Sequence, residues 1–283
     1  MSRIWFITGA SRGIGAEIAR AALAAGDKVV ATGRERERVA RAFADAGDRV
    51  LPVALDVTQE QQVQAAVDTA VAKFGRIDVL VNNAGYGQLG LFEEIEAGEI
   101  ERQYATNVFG LFNVTRAALP VLRRQRSGHI FNVSSVGGLV AAAGGSVYCS
   151  TKFAVEGFSE GLAQEVAQFG IKVTLIEPGA FRTDFLNDSS VRFGANSVAD
   201  YAEFSERTKA SFTSRANKQP GDPVKLAQAI LVLADTEHPP LRYAAGSDAL
   251  RRIEDKLTAR RAEIDQWRKL TLSTDYVEQA AAE

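Results

Sequence analysis

Short apolar runs alternate along the chain with stretches whose apolar residues recur every three to four positions. The runs fall at 3–8, 28–33, 49–55, 78–82, 129–134, 172–177 and 241–245. Most are nearly continuous hydrophobic segments, as expected of strands covered on both faces. Between them, Ile14, Ile18, Ala21 and Leu23 share helical spacing, and similar patterns predict helices over 59–74, 98–124, 146–169 and 223–234. This regular alternation predicts an α/β fold: a doubly wound, parallel, seven-stranded sheet with right-handed crossovers and helices on both faces. No internal repeat or low-complexity linker interrupts it, so 1–283 reads as one domain.

Two segments stand outside the alternation. The connection 181–219 is long and carries Phe181, Phe185, Phe193, Tyr201, Phe204 and Phe212, which suggests a lid over a substrate site. The extension 247–283 sets Leu250, Ile253, Leu257, Ile264 and Trp267 at helical spacing. That is one apolar face, expected to pack on the body or on a partner chain.

Composition narrows the function classes. With 33 basic and 35 acidic residues the chain has none of the cationic excess of a nucleic-acid binder. One cysteine, Cys149, excludes an internal disulfide, and Cys149, His129 and His238 lack the spacing of a metal site. The longest uncharged stretch, 130–151, carries Asn132, four serines, Thr151 and four glycines, a poor membrane span. A cytoplasmic protein with neither membrane nor nucleic-acid partner is expected.

Three constellations carry chemistry. The first strand runs into Thr8-Gly9-Ala10-Ser11-Arg12-Gly13-Ile14-Gly15, and a helix follows. Glycines here permit a tight turn and let backbone N–H groups approach a diphosphate at the helix N-terminus. The second strand ends at Gly33-Arg34, where an NAD site usually has an acidic residue for the ribose hydroxyls. Arg34 and Arg12 are instead suited to fork onto a 2′-phosphate. The plainer reading of residues 34–38 is a solvated helix start with pairs such as Glu37 and Arg41, and it suits Arg36 and Arg38 better than Arg34. The third is Tyr148-x-x-x-Lys152, one face of a helix, with Ser135 thirteen positions upstream at a strand end. A lysine beside the phenol is expected to lower the tyrosine pKa toward the working range.

Taken together these residues resemble the short-chain dehydrogenase/reductase family, in its single-domain branch. The glycine turn matches the family's cofactor turn, Asp56-Val57 its adenine-contacting pair, and Asn82-Asn83-Ala84-Gly85 the motif after the fourth strand. Asn107, Ser135, Tyr148 and Lys152 match its catalytic tetrad, and Pro178-Gly179 with Thr183 the segment that holds the nicotinamide carboxamide. Seven motifs in the correct order are far more specific than any one of them. The resemblance implies a Rossmann-type fold and an oxidoreductase using NADP(H) on the carbonyl or secondary alcohol of an apolar small molecule. Gly9, Ser11, Arg12, Gly13, Ile14, Gly15, Arg34, Asp56, Val57, Asn83, Ala84, Gly85, Tyr148, Lys152, Pro178, Gly179 and Thr183 would hold the cofactor. Tyr148 would act as general acid and base, Ser135 would fix the carbonyl oxygen, Lys152 would support Tyr148 and the ribose, and Asn107 would anchor a water. No metal is implied. A homodimer or homotetramer is implied too, with 98–124 and 146–169 at the interface through Phe109, Phe112, Val155 and Phe158. The alternative is a dinucleotide-binding sensor without catalysis, which would have no need of the intact tetrad.

Overall fold

The inner strands of the central sheet are apolar on both sides, and the two sets of side chains go to two different cores. On β1 (Ile4–Ile7), Trp5 and Ile7 face one layer while Ile4 and Phe6 face the other. The first layer is closed by α1 (Gly13–Ala24), α2 (Arg36–Ala42) and α8 (Pro223–Asp235), through Ile18, Ala22, Val39, Leu226 and Ile230. The second is closed by α3 (Glu60–Phe74), α5 (Gly110–Gln125) and α6 (Ser146–Val166), through Val63, Val67, Val114, Leu122 and Leu162. A fully buried side chain such as Ile18 contributes roughly 1.5–3 kcal/mol relative to an exposed one, so the two layers supply most of the driving force. The computed structural model describes residues 2–183, 185, 190–214 and 218–276.

The remaining strands of the sheet are β2 (Lys28–Gly33), β3 (Val50–Ala54), β4 (Val79–Asn82), β6 (Gly128–Val133), β7 (Ile171–Pro178) and β9 (Arg242–Ala245). Their order is β3-β2-β1-β4-β6-β7-β9, and all pairs are parallel. The order reverses between β1 and β4, the switch point at whose carboxyl ends such sheets hold ligands. All seven expected strands are present, each within two residues of its expected bounds at either end.

Four features differ from the expectation. A second sheet pairs β5 (Gly87–Leu89) in parallel with β8 (Val191–Phe193), two three-residue strands distant in sequence. The helix expected over 98–124 is α4 (Ala97–Tyr104) and α5, joined by a wide π turn at Ala105–Phe109 that contains Asn107. The long connection contains β8 and α7 (Ala202–Thr213). The extension forms α9 (Ser247–Leu272), but only Ala249 is buried, and Leu257 and Trp267 stay 64% and 56% exposed. Beyond Ile253 its apolar face therefore does not pack on the body. Of the expected interface residues, Val155 is fully buried within its own chain and Phe112 stacks on Phe158 at 4.3 Å, whereas Phe109 is 56% exposed. Among the described residues no helix is long and apolar enough to cross a membrane.

Candidate active site

A cavity of about 1190 Å³ opens at the carboxyl ends of β1, β2, β4, β6 and β7. Its floor is built around Thr8 at the end of β1. The Thr8 hydroxyl accepts from the N–H groups of Asn83 (2.9 Å) and Ala84 (3.0 Å), and Asn83 Nδ2 donates back to the carbonyls of Thr8 (2.9 Å) and Gly9 (3.1 Å). This lattice ties the loops after β1 and β4 together and explains two glycines. Gly9 has φ +65°, and a Cβ there would lie 3.0 Å from Ala84 Cα. A Cβ on Gly15 would strike Asn83 Nδ2 and lie 2.7 Å from the Gly9 carbonyl. The glycine turn delivers the chain to α1, whose N-cap, Arg12, makes no side-chain capping bond. The leading N–H groups of α1 are thus without a side-chain cap, as an anion site requires.

Gly9, Ser11, Arg12, Gly13, Ile14, Arg34, Asp56, Val57, Asn83, Ala84, Gly85, Pro178, Gly179 and Thr183 all line this cavity, together with Ser135, Tyr148 and Lys152. Two of the expected residues stand behind its wall. Gly15 is packed under Asn83, and buried Asn107 supports Tyr86: its Oδ1 accepts from Tyr86 N (3.1 Å) and its Nδ2 donates to Tyr86 O (2.9 Å) and Thr151 Oγ1 (3.2 Å). Arg38, Glu35 and Thr58 line the Arg34 end and were not singled out from sequence, where the acidic and basic residues of 34–38 look like an ordinary helix start. Asp56 is held in shape by bonds from the Thr58 N–H (3.0 Å) and hydroxyl (2.7 Å).

At the other end α6 begins at Ser146, so Tyr148 and Lys152 stand one turn apart on one helix. Ser135 stands beside the Tyr148 phenol across Gly137, and its Oγ accepts from Gly137 N at 3.0 Å. The buried Lys152 ammonium donates to the carbonyl of Val133 (2.8 Å) and lies 5.9 Å from the Tyr148 ring centroid. Burial pushes the Tyr148 phenol up to about 12, opposed by the neighbouring Ser135 hydroxyl. This corrects the expectation that Lys152 lowers it: loss of solvent outweighs a cation that is engaged with a carbonyl. Burial also lowers Lys152 to about 8, against the pull of Glu156. The phenol is therefore a proton-bearing acid at neutral pH. Cys149 also lines the cavity, its thiol pushed up by burial.

The long connection contributes aromatic groups. Phe185 lies 5.7 Å from the Tyr148 ring, and Phe181, Phe204 and Phe212 line the same cavity, whereas Phe193 and Tyr201 do not. Part of this connection, including Asp184 and 186–189, lies outside the described residues.

A nicotinamide dinucleotide fits these residues. The glycine cradle leaves backbone N–H groups open to a diphosphate, guanidinium groups flank the adenosine end, and buried Lys152 adjoins Tyr148 at the reacting end. The short chain dehydrogenase family model matches residues 3–192. The chain is 44% identical to Oxidoreductase BOA17 of Botryotinia fuckeliana over 97% of its length and all of that protein. It superposes on a short-chain dehydrogenase of Streptomyces avermitilis with a TM-score of 0.90 at 43% identity, covering 98% of this chain and 100% of the other. ElxO with NADP bound matches at 31% identity with a TM-score of 0.72, over 86% of this chain and 96% of that one. Solved relatives hold either form of the cofactor, NADP in some and NADH in others. A match running through the glycine turn, the Ser135–Tyr148–Lys152 cluster and nearly the whole fold makes this chain an oxidoreductase of the short-chain dehydrogenase/reductase family.

Proposed function

We propose that the protein is an NADP(H)-dependent carbonyl reductase, running in reverse as an alcohol dehydrogenase, with Tyr148 as general acid and base. The observation that carries this reading is the cluster of half-buried Ser135 and Tyr148 with buried Lys152 at one end of the cavity. Bound in the cavity, the reduced cofactor supplies a hydride to a carbonyl carbon. As negative charge grows on the carbonyl oxygen, the Tyr148 phenol donates its proton to it. The Ser135 hydroxyl, beside the phenol, hydrogen-bonds the same oxygen and fixes its position. Lys152 faces the resulting tyrosinate and stabilises its charge, and it is positioned to hold the nicotinamide ribose. In the oxidative direction these roles reverse. Asn107 spends its side chain on Tyr86 and Thr151, so a proton-relay water there would rest on its main-chain carbonyl.

NADP(H) is chosen over NAD(H) because Gly33 brings no carboxylate to the adenosine ribose, while Arg34 and Arg12 line that end. Phe181, Phe185, Phe204 and Phe212 favour substrates with an apolar body, and the connection that carries them acts as a lid. We further propose that the protein is cytoplasmic and forms a homodimer or homotetramer, with exposed Phe109 available to the contact and α9 as an extension of the same single domain. A dinucleotide sensor would not need a tyrosine held fully protonated beside a serine and a lysine. Consumption of NADPH with aryl and long-chain ketones tests the reading. Turnover supports it, and binding of NADPH with no turnover of any such ketone favours the sensor.

A further inference from the structure

The cavity beyond Tyr148 carries more positive charge than a neutral carbonyl compound calls for. Phe185 packs on Tyr148, and its ring also lies 3.3 Å from where a Cβ of Gly87 would stand. Gly87 pairs with Val191, so the next pair, Gln88 and Arg192, brings Arg192 alongside the reacting end. The Arg192 guanidinium lies over the Tyr86 ring, 5.6 Å from its centroid. Arg102, from α4, reaches the same phenol: burial pushes Tyr86 up, and Arg192 and Arg102 pull against it. Tyr86 is in turn clamped to Asn107, so this pair of cations sits on a rigid part of the wall.

The carboxylate that also acts on Tyr86, Glu99, is engaged by the Glu96 N–H (2.9 Å) and by Gln88 (3.2 Å) and not by either arginine. Among the described residues neither Arg192 nor Arg102 forms a salt bridge or donates a hydrogen bond. Arg207, Arg251 and Arg252 line the same cavity; Arg207 is paired with Glu203 and Arg252 donates to the Val140 carbonyl. Among the described residues the carboxylate lining this end is Asp248, which already accepts from the N–H of Ala180 at 2.9 Å. Of the five guanidinium groups at the mouth of this aromatic-walled cavity one is ion-paired, and the others repel one another until an anion enters.

We propose that Arg192 and Arg102 receive an oxyanion, a carboxylate or a phosphate, on a substrate whose apolar body lies along Phe185 and Phe212 and whose carbonyl meets Tyr148. This rests on the carbonyl-reductase reading and deepens it: the substrate is an amphiphilic acid. The planar forks of both arginines match such an oxyanion, and they are distinct from Arg34 and Arg12 at the adenosine end.

The test is calorimetric and needs no turnover. The protein is saturated with whichever of NADP⁺ and NAD⁺ binds more tightly, which fills the other phosphate sites. It is then titrated with 5-phenylpentanoate, 4-phenylbutyl phosphate and 5-phenylpentanamide. At least one of the two anions is expected to bind tenfold or more tighter than the amide, and comparison of the two identifies whether carboxylate or phosphate is preferred. Arg192→Gln with Arg102→Gln is expected to bring anion and amide within about threefold, and Arg192→Lys to give an intermediate value. Equal binding of anions and amide by the wild type overturns the proposal, as does an anion preference that survives the double variant. Ketone turnover without anion preference contradicts this inference alone. Anion preference without any ketone turnover contradicts the reductase reading and leaves the anion site standing.

Discussion

Replacing Arg34 by alanine separates the 2′-phosphate from every other part of the dinucleotide. Arg34 follows the last residue of β2, is exposed, and lies at the cavity rim beside Ser11, Arg12 and Arg38. The closeness of this loop to the glycine turn is structural: a Cβ on Gly33 would lie 3.6 Å from Ser11 Cβ, and Ala10 N donates to the Thr32 carbonyl at 2.8 Å. A charge-assisted bond contributes about 1.5–3 kcal/mol when shielded. Solvent and salt at an exposed site reduce that to about 1–2 kcal/mol. At about 1.4 kcal/mol per tenfold, the loss in NADPH affinity is roughly five- to thirtyfold. NADH lacks the phosphate and should change by less than about twofold. Fluorescence titration of both cofactors against wild type, Arg34→Ala and Arg12→Ala reads these values at fixed ionic strength. Raising the salt should narrow the NADPH difference. Equal weakening of NADH and NADPH by Arg34→Ala would refute the reasoning, and so would a wild-type preference for NADH.

Gly15→Ala drives a methyl group into Asn83 Nδ2 and toward the Gly9 carbonyl; overpacking of this kind costs about 1–3 kcal/mol, so the melting temperature and the affinity for both cofactors should fall together, and an unchanged titration would show that the Thr8–Asn83 lattice does not shape the site. Glu177 on β7 is raised to about 7 by burial and by Glu156, against Arg242. A carboxyl whose folded pKa is raised stabilises most below its unfolded value of about 4.5, and that contribution is lost as pH climbs through 7. Glu177→Gln should therefore gain stability relative to wild type between pH 5 and pH 8, and a pH-independent difference in denaturation midpoints would contradict this. Among neutral carbonyl compounds of one reactivity, aryl and long-chain ketones should show higher kcat/KM than short polar sugars, because Phe185 and Phe212 bury apolar surface at about 25 cal/mol per Å²; the reverse order would overturn the aromatic-wall assignment.

How far the sequence carries the reader depends on the range of the interactions involved. Runs such as Lys28–Gly33 are apolar on both faces, and that local pattern suffices to identify a central parallel strand. The glycine turn and the Tyr148–Lys152 spacing are likewise local, so their gathering at one cavity was legible in advance. The β5–β8 sheet was not, because three-residue strands carry no periodicity and each is defined only by the other. Arg192 and Arg102 escape notice for the same reason: nothing in their neighbours says that the folded connection and α4 bring them together at Tyr86. Asn107 lies in a π turn that interrupts an otherwise continuous helical pattern, and apolar spacing does not report such a bulge. The direction of the Tyr148 shift was misjudged because helix spacing reveals the neighbouring cation but not the depth of burial. The apolar stripe of α9 was read correctly as helical, but periodicity does not say whether a face is covered.

The central claim is that the Tyr148 phenol delivers the proton. Tyr148→Phe keeps the ring against Phe185 and removes only the phenol hydroxyl. The direct measurement is kcat for ketone reduction by this variant, with the NADPH dissociation constant determined alongside. The account predicts a fall in kcat of roughly 10²–10⁴, the usual contribution of one positioned acid, with cofactor affinity within about twofold of wild type. A Tyr148→Phe enzyme that binds NADPH normally and turns over at near the wild-type rate would contradict it.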